Sequence, residues 1–233
     1  HDPYKILVSE VMLQQTQVPR VMEKFPSFLK RFPTVRALAA APLNDVLREW
    51  QGMGYNRRGL YLKRAAEIIV AEYDGKVPQS PELLERLPGI GHYTARAICT
   101  FAFGHASSLI ETNIRRVFIR HFFNDKETVR DEEILPLVKQ TLPSKAKIRD
   151  WYWALMDYGS LAIPKGENPN KRSAHYVRQK PFEGSRRSVR ALILRTLLAQ
   201  PLTETKLITF VGKSAPKFSR EEIKDIIREI KKE

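Results

Sequence analysis

Apolar residues recur at helical spacing along nearly the whole chain, and no segment alternates with the period of two that a half-buried strand requires. The pattern predicts helices over about 4–16, 18–31, 34–40, 43–50, 56–73, 80–86, 92–103, 111–122, 130–141, 147–162, 186–199, 203–211 and 219–232, and so an all-α fold. Proline and glycine punctuate the joints, at Phe32-Pro33, Ala41-Pro42, Gly52-Met53-Gly54, Asp74-Gly75 and Leu142-Pro143. The longest interruption, 164–184, is rich in Lys, Arg, Asn, Pro and Ser and reads as an irregular arm between a helical body, 1–163, and a small C-terminal module, 185–233. In that module Val189, Leu192, Ile193, Leu197 and Leu198 share one face of a first helix, Thr203 to Phe210 forms a second, and Glu221 to Ile230 a third amphipathic one. Three short helices of this kind resemble, in architecture, a helix-turn-helix or winged-helix unit.

One joint carries chemistry of its own. In Leu87-Pro88-Gly89-Ile90-Gly91-His92-Tyr93-Thr94-Ala95, proline ends one helical pattern, two glycines permit a tight turn with positive φ, and a new helix starts near His92. Backbone amides at that helix start, with no Cβ on Gly89 or Gly91 to block the approach, can hold a phosphate. On this reading His92 and Thr94 lie on a face that grips DNA backbone without reading sequence. The bland alternative is a turn that merely links two helices.

Charge favours the first reading. The net charge is +14, and residues 164–233 hold seventeen basic against eight acidic side chains, so less than a third of the chain carries most of the excess. The arm's Lys165, Lys171, Arg172, Arg178 and Lys180 are expected phosphate contacts, although a solvated basic face without a partner is the plain alternative. The single cysteine, Cys99, excludes an internal disulfide and any cysteine-based zinc or iron–sulfur site within this sequence, and no metal ligand set is expected. No apolar run approaches the roughly 20 residues that span a bilayer, and the opening residues lack a signal-peptide pattern. The expectation is a soluble, intracellular, monomeric protein associated with DNA and not with membranes.

Two carboxylates flank the hairpin in sequence. Glu10 sits among Ile6, Leu7, Val11 and Leu13, and Glu111 follows Leu109-Ile110 at the start of a helix. An acid among apolar neighbours has a raised pKa and can act as a general acid, while a second, ionised carboxylate can stabilise a developing positive charge. Glycosidic-bond cleavage uses that pairing. Taken singly, either residue could instead be a surface or capping acid, and Glu111 could simply favour a helix N-terminus.

At this point the residues carry a family resemblance. Pro3-Tyr4-Lys5-Ile6-Leu7-Val8-Ser9-Glu10-Val11-Met12-Leu13-Gln14-Gln15-Thr16-Gln17-Val18 closely resembles the start of the MutY family of adenine-specific mismatch DNA glycosylases. Trp50-Gln51-Gly52-Met53-Gly54-Tyr55 with Arg57, Arg58 and Lys63-Arg64-Ala65-Ala66, the Leu87 to Ala95 hairpin, and Met156-Asp157-Tyr158-Gly159 resemble three further blocks, so the likeness covers about 1–163. It implies a two-lobed helix-hairpin-helix glycosylase fold, with double-stranded DNA bearing a mismatch or lesion as partner. By the same resemblance Glu10 is the catalytic acid that protonates the flipped adenine, and Tyr93 and Asn113 are polar active-site positions. Gln15 and Tyr55 wedge into the duplex beside the expelled base, and Arg57 and Arg58 join the DNA contacts. Bifunctional relatives carry Lys at the position of Tyr93, so the resemblance implies an enzyme without strand cleavage. A monovalent cation on the hairpin carbonyls is also compatible with it.

The chain departs from the family in three places. The family's second acid is an Asp in Asp-Gly-Asn, whereas this chain has Glu111-Thr112-Asn113, so either Glu111 acts through relaxed geometry or the substrate differs. The four-cysteine iron–sulfur loop is missing after Gly159. Nothing resembles the C-terminal domain with which larger members inspect oxidised guanine, and the basic C-terminal module could dock on flanking DNA or cap the body. The expected activity is hydrolytic removal of adenine mispaired with guanine or oxidised guanine. Removal of thymine or uracil from mispairs with guanine, and a catalytically silent damage sensor, are the alternatives.

Overall fold

A computed structural model describes residues 2–164, 166–178 and 181–233. Lys165 and Lys180, two of the expected phosphate contacts, lie outside the described residues. The α-helices are α1 Pro3–Leu13, α2 Val18–Arg31, α3 Val35–Ala40, α4 Leu43–Glu49, α5 Arg57–Glu72, α6 Pro81–Glu85, α7 His92–Phe103, α8 Thr112–Phe122, α9 Asp131–Gln140, α10 Ile148–Asp157, α11 Arg186–Ala199, α12 Glu204–Ser214 and α13 Arg220–Lys231. Among the described residues the one β-type pairing is an isolated bridge between Val129 and Ser173, so the C-terminal module has no wing. No described helix is long and apolar enough to cross a membrane. The helices form two compact units, His1–Glu10 with Val77–Arg178 and Val11–Lys76 with Gln179–Glu233.

The first unit is built around Ala97, Phe101, Leu109, Ile114, Phe118, Ile119, Val129, Ile134, Val138, Ile148 and Tyr152. Its central element is α8. The expected helix 147–162 divides here: α10 ends at Asp157 and a π-helical turn, Tyr158–Ala162, replaces its last stretch. That wide turn lays buried Gly159 against α8, where a Cβ would fall 2.4 Å from the Asn113 carbonyl oxygen. The segment expected to be an irregular arm contains a 3₁₀ turn at Pro169–Arg172 that straps α8 at both ends. Asn170 Nδ2 donates to the Thr112 carbonyl at 3.0 Å. At the other end the Arg172 guanidinium donates to the carbonyls of Ile119, Asn124 and Lys126, each at 3.2 Å, and to that of Phe123. Arg116 in turn holds the carbonyls of Ile163, Pro164 and Glu167.

In the second unit Trp50 and Phe28 are fully buried and meet edge to face at 5.8 Å, beneath α5 with Leu62, Ala65, Ala66 and Ile69. Gly59 is needed there, since a Cβ would lie 2.9 Å from the Trp50 ring. The C-terminal helices share this unit and enclose a separate cluster of Val189, Ile193, Leu207, Ile208, Val211, Ile223, Ile226 and Ile227. Each begins on a hydroxyl N-cap, Ser185, Thr203 and Ser219, the last in a capping box with Glu222. The helix α12 runs three residues beyond its expected end.

The expected helix 4–16 stops at Leu13 because Arg58 ends it. Its buried guanidinium donates to the carbonyls of Val11 at 3.0 Å, Met12 at 2.9 Å and Gln14, which are orphan acceptors of the helix terminus. The same group reaches Thr16 Oγ1 at 2.8 Å and the carbonyls of Met53 at 3.0 Å and Gly54 at 3.2 Å. Burial lowers its pKa to about 10, which leaves it charged at neutral pH.

Arg58→Met is expected to cost about 3–5 kcal/mol in urea unfolding, because six acceptors lose a charged donor. Arg57→Ala, which removes a half-exposed guanidinium from a Glu233 that keeps Arg190 as a partner, should cost no more than about 1 kcal/mol. Gly159→Ala should lose about 1–3 kcal/mol through overpacking, and equal stability of that variant and the wild type would refute the close approach to Asn113.

Candidate active site

Four of the sequence-predicted residues gather in the first unit: Glu10 on α1, Tyr93 on α7, Glu111 before α8 and Asn113 on its first turn. The extended stretch leading to Glu111 is held by Tyr152, whose hydroxyl accepts from the Leu109 amide at 2.9 Å and donates to the Ser107 carbonyl at 2.6 Å. Glu111 is the N-cap of α8, and one of its carboxylate oxygens accepts from the amides of Asn113 at 2.6 Å and Ile114 at 2.7 Å. These are the amides that a shorter Asp N-cap would reach, so the extra methylene is absorbed without losing the cap. Asn113 Nδ2 lies 3.4 Å from the second oxygen. The capping role raised for Glu111 from sequence is therefore real, and it orients the carboxylate.

The two acids are unequal in their surroundings. Burial leaves the Glu111 carboxyl raised above its ordinary value, although the amides of Asn113 and Ile114 and the charge of Arg115 act against this and limit the rise. Glu10 accepts no hydrogen bond from a described residue, and burial, followed by the nearby charge of Glu111, pushes it up to about 7. Glu10 is thus the proton holder of the pair. The Tyr93 phenol is held well above its usual range, chiefly by burial and then by both carboxylates, and stays protonated. The site pairs a poised acid with an anchored carboxylate and a neutral phenol donor.

The hairpin joins α6 to α7 in the same unit. Gly89 has a φ of 76°, which only glycine adopts freely, whereas Gly91 is extended at −93°, so one of the two glycines, not both, is required by backbone conformation. At Gly91 a Cβ would meet nothing within 4 Å, which leaves the approach to the helix start open. Intrahelical bonding begins with the Ala95 amide to the Gly91 carbonyl, beyond the amides of His92 and Tyr93. The His92 ring is exposed beside Glu85 and Arg96. Thr94 is buried, so its side chain is not on the expected DNA face.

In the second unit Gln15 and Tyr55 share a property that sequence does not reveal. With φ of 55° and 46°, they are two of the three non-glycine residues with a left-handed backbone among those described. The bonds of Arg58 bracket both: the Gln14 carbonyl and Thr16 hydroxyl around Gln15, and the Met53 and Gly54 carbonyls before Tyr55. Tyr55 also lies between two guanidinium groups, 5.5 Å from Arg58 and 5.7 Å from Arg187, and Arg187 donates to its hydroxyl at 2.7 Å. The basic patterning did not single out Arg187.

Three expected DNA contacts are engaged otherwise. Arg58 is spent on the loops of Gln15 and Tyr55, Arg172 on the C-terminal end of α8, and Arg57 on Glu233. Lys171 and Arg178 are exposed. A four-thiolate cluster does not fit where the family's iron–sulfur loop would follow Gly159, because the strap contains no cysteine. Cys99 is buried, donates to the Gln79 carbonyl and has its thiol raised to about 11 by burial.

Residues 8–140 match the family described as HhH-GPD superfamily base excision DNA repair protein. An adenine DNA glycosylase of Mycobacterium tuberculosis is 33% identical over 88% of this chain and 74% of that protein. Those of Mycolicibacterium smegmatis and Homo sapiens are 40% and 38% identical over 67% of this chain, which spans 54% and 29% of their respective lengths. The structure of a thermostable thymine-DNA glycosylase superposes with a TM-score of 0.65 at 27% identity, covering 73% of this chain and 80% of that one. An endonuclease III in a DNA complex shares the fold at a TM-score of 0.61 and 19% identity, over 72% of this chain and 78% of that one. With this all-helical fold, its hairpin and a family match across more than half its length, the chain belongs to the HhH-GPD superfamily of base excision DNA repair proteins.

Proposed function

We propose that the protein is a monofunctional DNA glycosylase that flips adenine from a mispair with guanine or oxidised guanine and hydrolyses its N-glycosidic bond. The observation that carries this reading is the unequal carboxyl pair, Glu10 near neutrality and Glu111 anchored on helix amides. Protonated Glu10 gives its proton to a ring nitrogen of the flipped base, the bond to the sugar breaks, and the electron pair leaves with adenine. Anchored Glu111 faces the oxocarbenium-like sugar that results, and water adds to it while Glu10, now ionised, takes the released proton. Tyr93 offers a phenol and no amine, so the site supplies no Schiff-base nucleophile there. The hairpin amides hold a phosphate, and Gln15 and Tyr55 enter the space left by the base. The adenine DNA glycosylases among the relatives favour adenine as the base removed.

Labelled duplexes with A, T or U opposite G or oxidised G, treated with alkali after incubation, test the reading. Product from the A duplexes alone is the expected result. Product from T or U alone would move the assignment to pyrimidine excision, and retarded mobility without product on any duplex would sink the enzyme reading. Glu10→Gln and Glu111→Gln should each lower the single-turnover rate at least about 100-fold. The wild-type rate should fall about tenfold per pH unit above about 7, as Glu10 loses its proton.

Stability should report the same group. The folded carboxyl titrates near 7 against an ordinary 4.5, so its contribution is complete below about 4.5 and is lost as pH rises through about 7. Relative to wild type, Glu10→Gln should therefore gain up to about 3 kcal/mol between about pH 5 and pH 8 in urea unfolding. An unchanged difference would place Glu10 in water.

A further inference from the structure

The second unit carries a groove of about 1080 Å³ that the chemistry above leaves unused. One wall is made by the loops of Gln15 and of Gly52 to Gly54, the other by α11, α12 and the turn that follows them. Its lining includes Phe182 and Phe210, whose large apolar side chains stand 51% and 44% exposed. The charged lining residues are Arg20, Arg195 and Lys217, and none is acidic. Arg20 is turned toward its own loop, donating to the Gly52 carbonyl at 2.8 Å. Arg195 and Lys217 are exposed, and among the described residues neither has an ion-pair partner.

Exposed rings beside unneutralised cations, with no carboxylate in the lining, suit an unstacked nucleotide: its base lies on a ring and its phosphates meet the cations. The place of the groove narrows the choice. It opens beside Gln15, and the helix that walls it, α11, also supplies the Arg187 that grips the Tyr55 hydroxyl. Where Gln15 and Tyr55 displace one base, the base across from it loses its partner. We propose that this groove receives that orphaned nucleotide of the opposite strand, with its base against Phe182 and Phe210 and its phosphates on Arg195 and Lys217. The inference rests on the glycosylase reading for the wedge, and it gives the C-terminal helices a part in reading the base opposite the lesion.

The test uses the full chain and a duplex in which a tetrahydrofuran abasic analogue faces 5-iodouracil, so that no excision is needed. Irradiation followed by mass spectrometry should find the adduct on Phe182 or Phe210. In fluorescence anisotropy, Phe210→Ala and Arg195→Glu should each weaken binding of this duplex about tenfold, while the excision rate at saturating enzyme stays at the wild-type value. Both side chains are exposed, and an unchanged circular dichroism melt shows that each variant folds. Adducts found only outside the groove, or wild-type affinity in both variants, would overturn the proposal. A wild-type dimer dissociated by Phe210→Ala would overturn it in favour of a second copy of this chain. Groove adducts in a protein that excises no adenine would uphold the groove and sink only the glycosylase reading.

Discussion

The buried guanidinium of Arg58 is the interaction on which the Gln15 and Tyr55 loops of the second unit depend. A left-handed backbone at Gln15 and Tyr55 is unfavourable for side chains of that size and persists only where the surroundings impose it. Arg58 imposes it by collecting carbonyls from both loops, so the end of one helix and the Gly52 to Tyr55 turn share one rigid set of donors. Five N–H groups in a fixed planar fork make arginine suited to this task, and a lysine could not reproduce it. The ring of Trp50 lies 5.5 Å from the same group, which couples the loops to the aromatic core. Rigid placement suits the wedge role proposed for both residues, because any disorder in the free protein adds to the cost of binding.

The first unit shows the same economy in a different form. Two glutamates of identical chemistry are tuned apart by their neighbours: burial and a nearby carboxylate push Glu10 up to about 7, while helix amides limit the rise that burial imposes on Glu111. What keeps Glu111 in place is the helix it caps, and α8 is held at three points, by the Tyr152 hydroxyl ahead of it, by Gly159 against its first turn, and by the strap at both ends. Carbonyl-binding arginines and one asparagine secure the helix that Glu111 caps without any cluster of cysteines. Two basic side chains expected to contact DNA, Arg58 from the resemblance and Arg172 from the basic arm, act as internal braces in their respective units.

Much of this was legible in the residues. The 3.6-residue periodicity is a local property, since an amphipathic helix advertises its buried face in the order of its residues, and twelve or so helix positions follow from it to within a few residues. Where the reading failed, the cause was a distant partner. The early end of α1 depends on Arg58, more than forty positions later, and the π-helical turn after α10 on the contact with Asn113. The order in 168–174 comes from hydrogen bonds to α8 and Val129, which no composition of Asn, Lys and Pro announces.

The sequence by itself determined the helical class, the turn between α6 and α7 with its glycine at Gly89, the basic excess, and the two acids worth watching, because each of these is written in residue type and spacing. Tertiary structure alone decided which acid holds the proton, which arginines are consumed internally, and that the loops of Gln15 and Tyr55 share one donor. Burial, the reach of a side chain and the supply of unpaired carbonyls are properties of neighbours in space, and these are set only when the chain has folded.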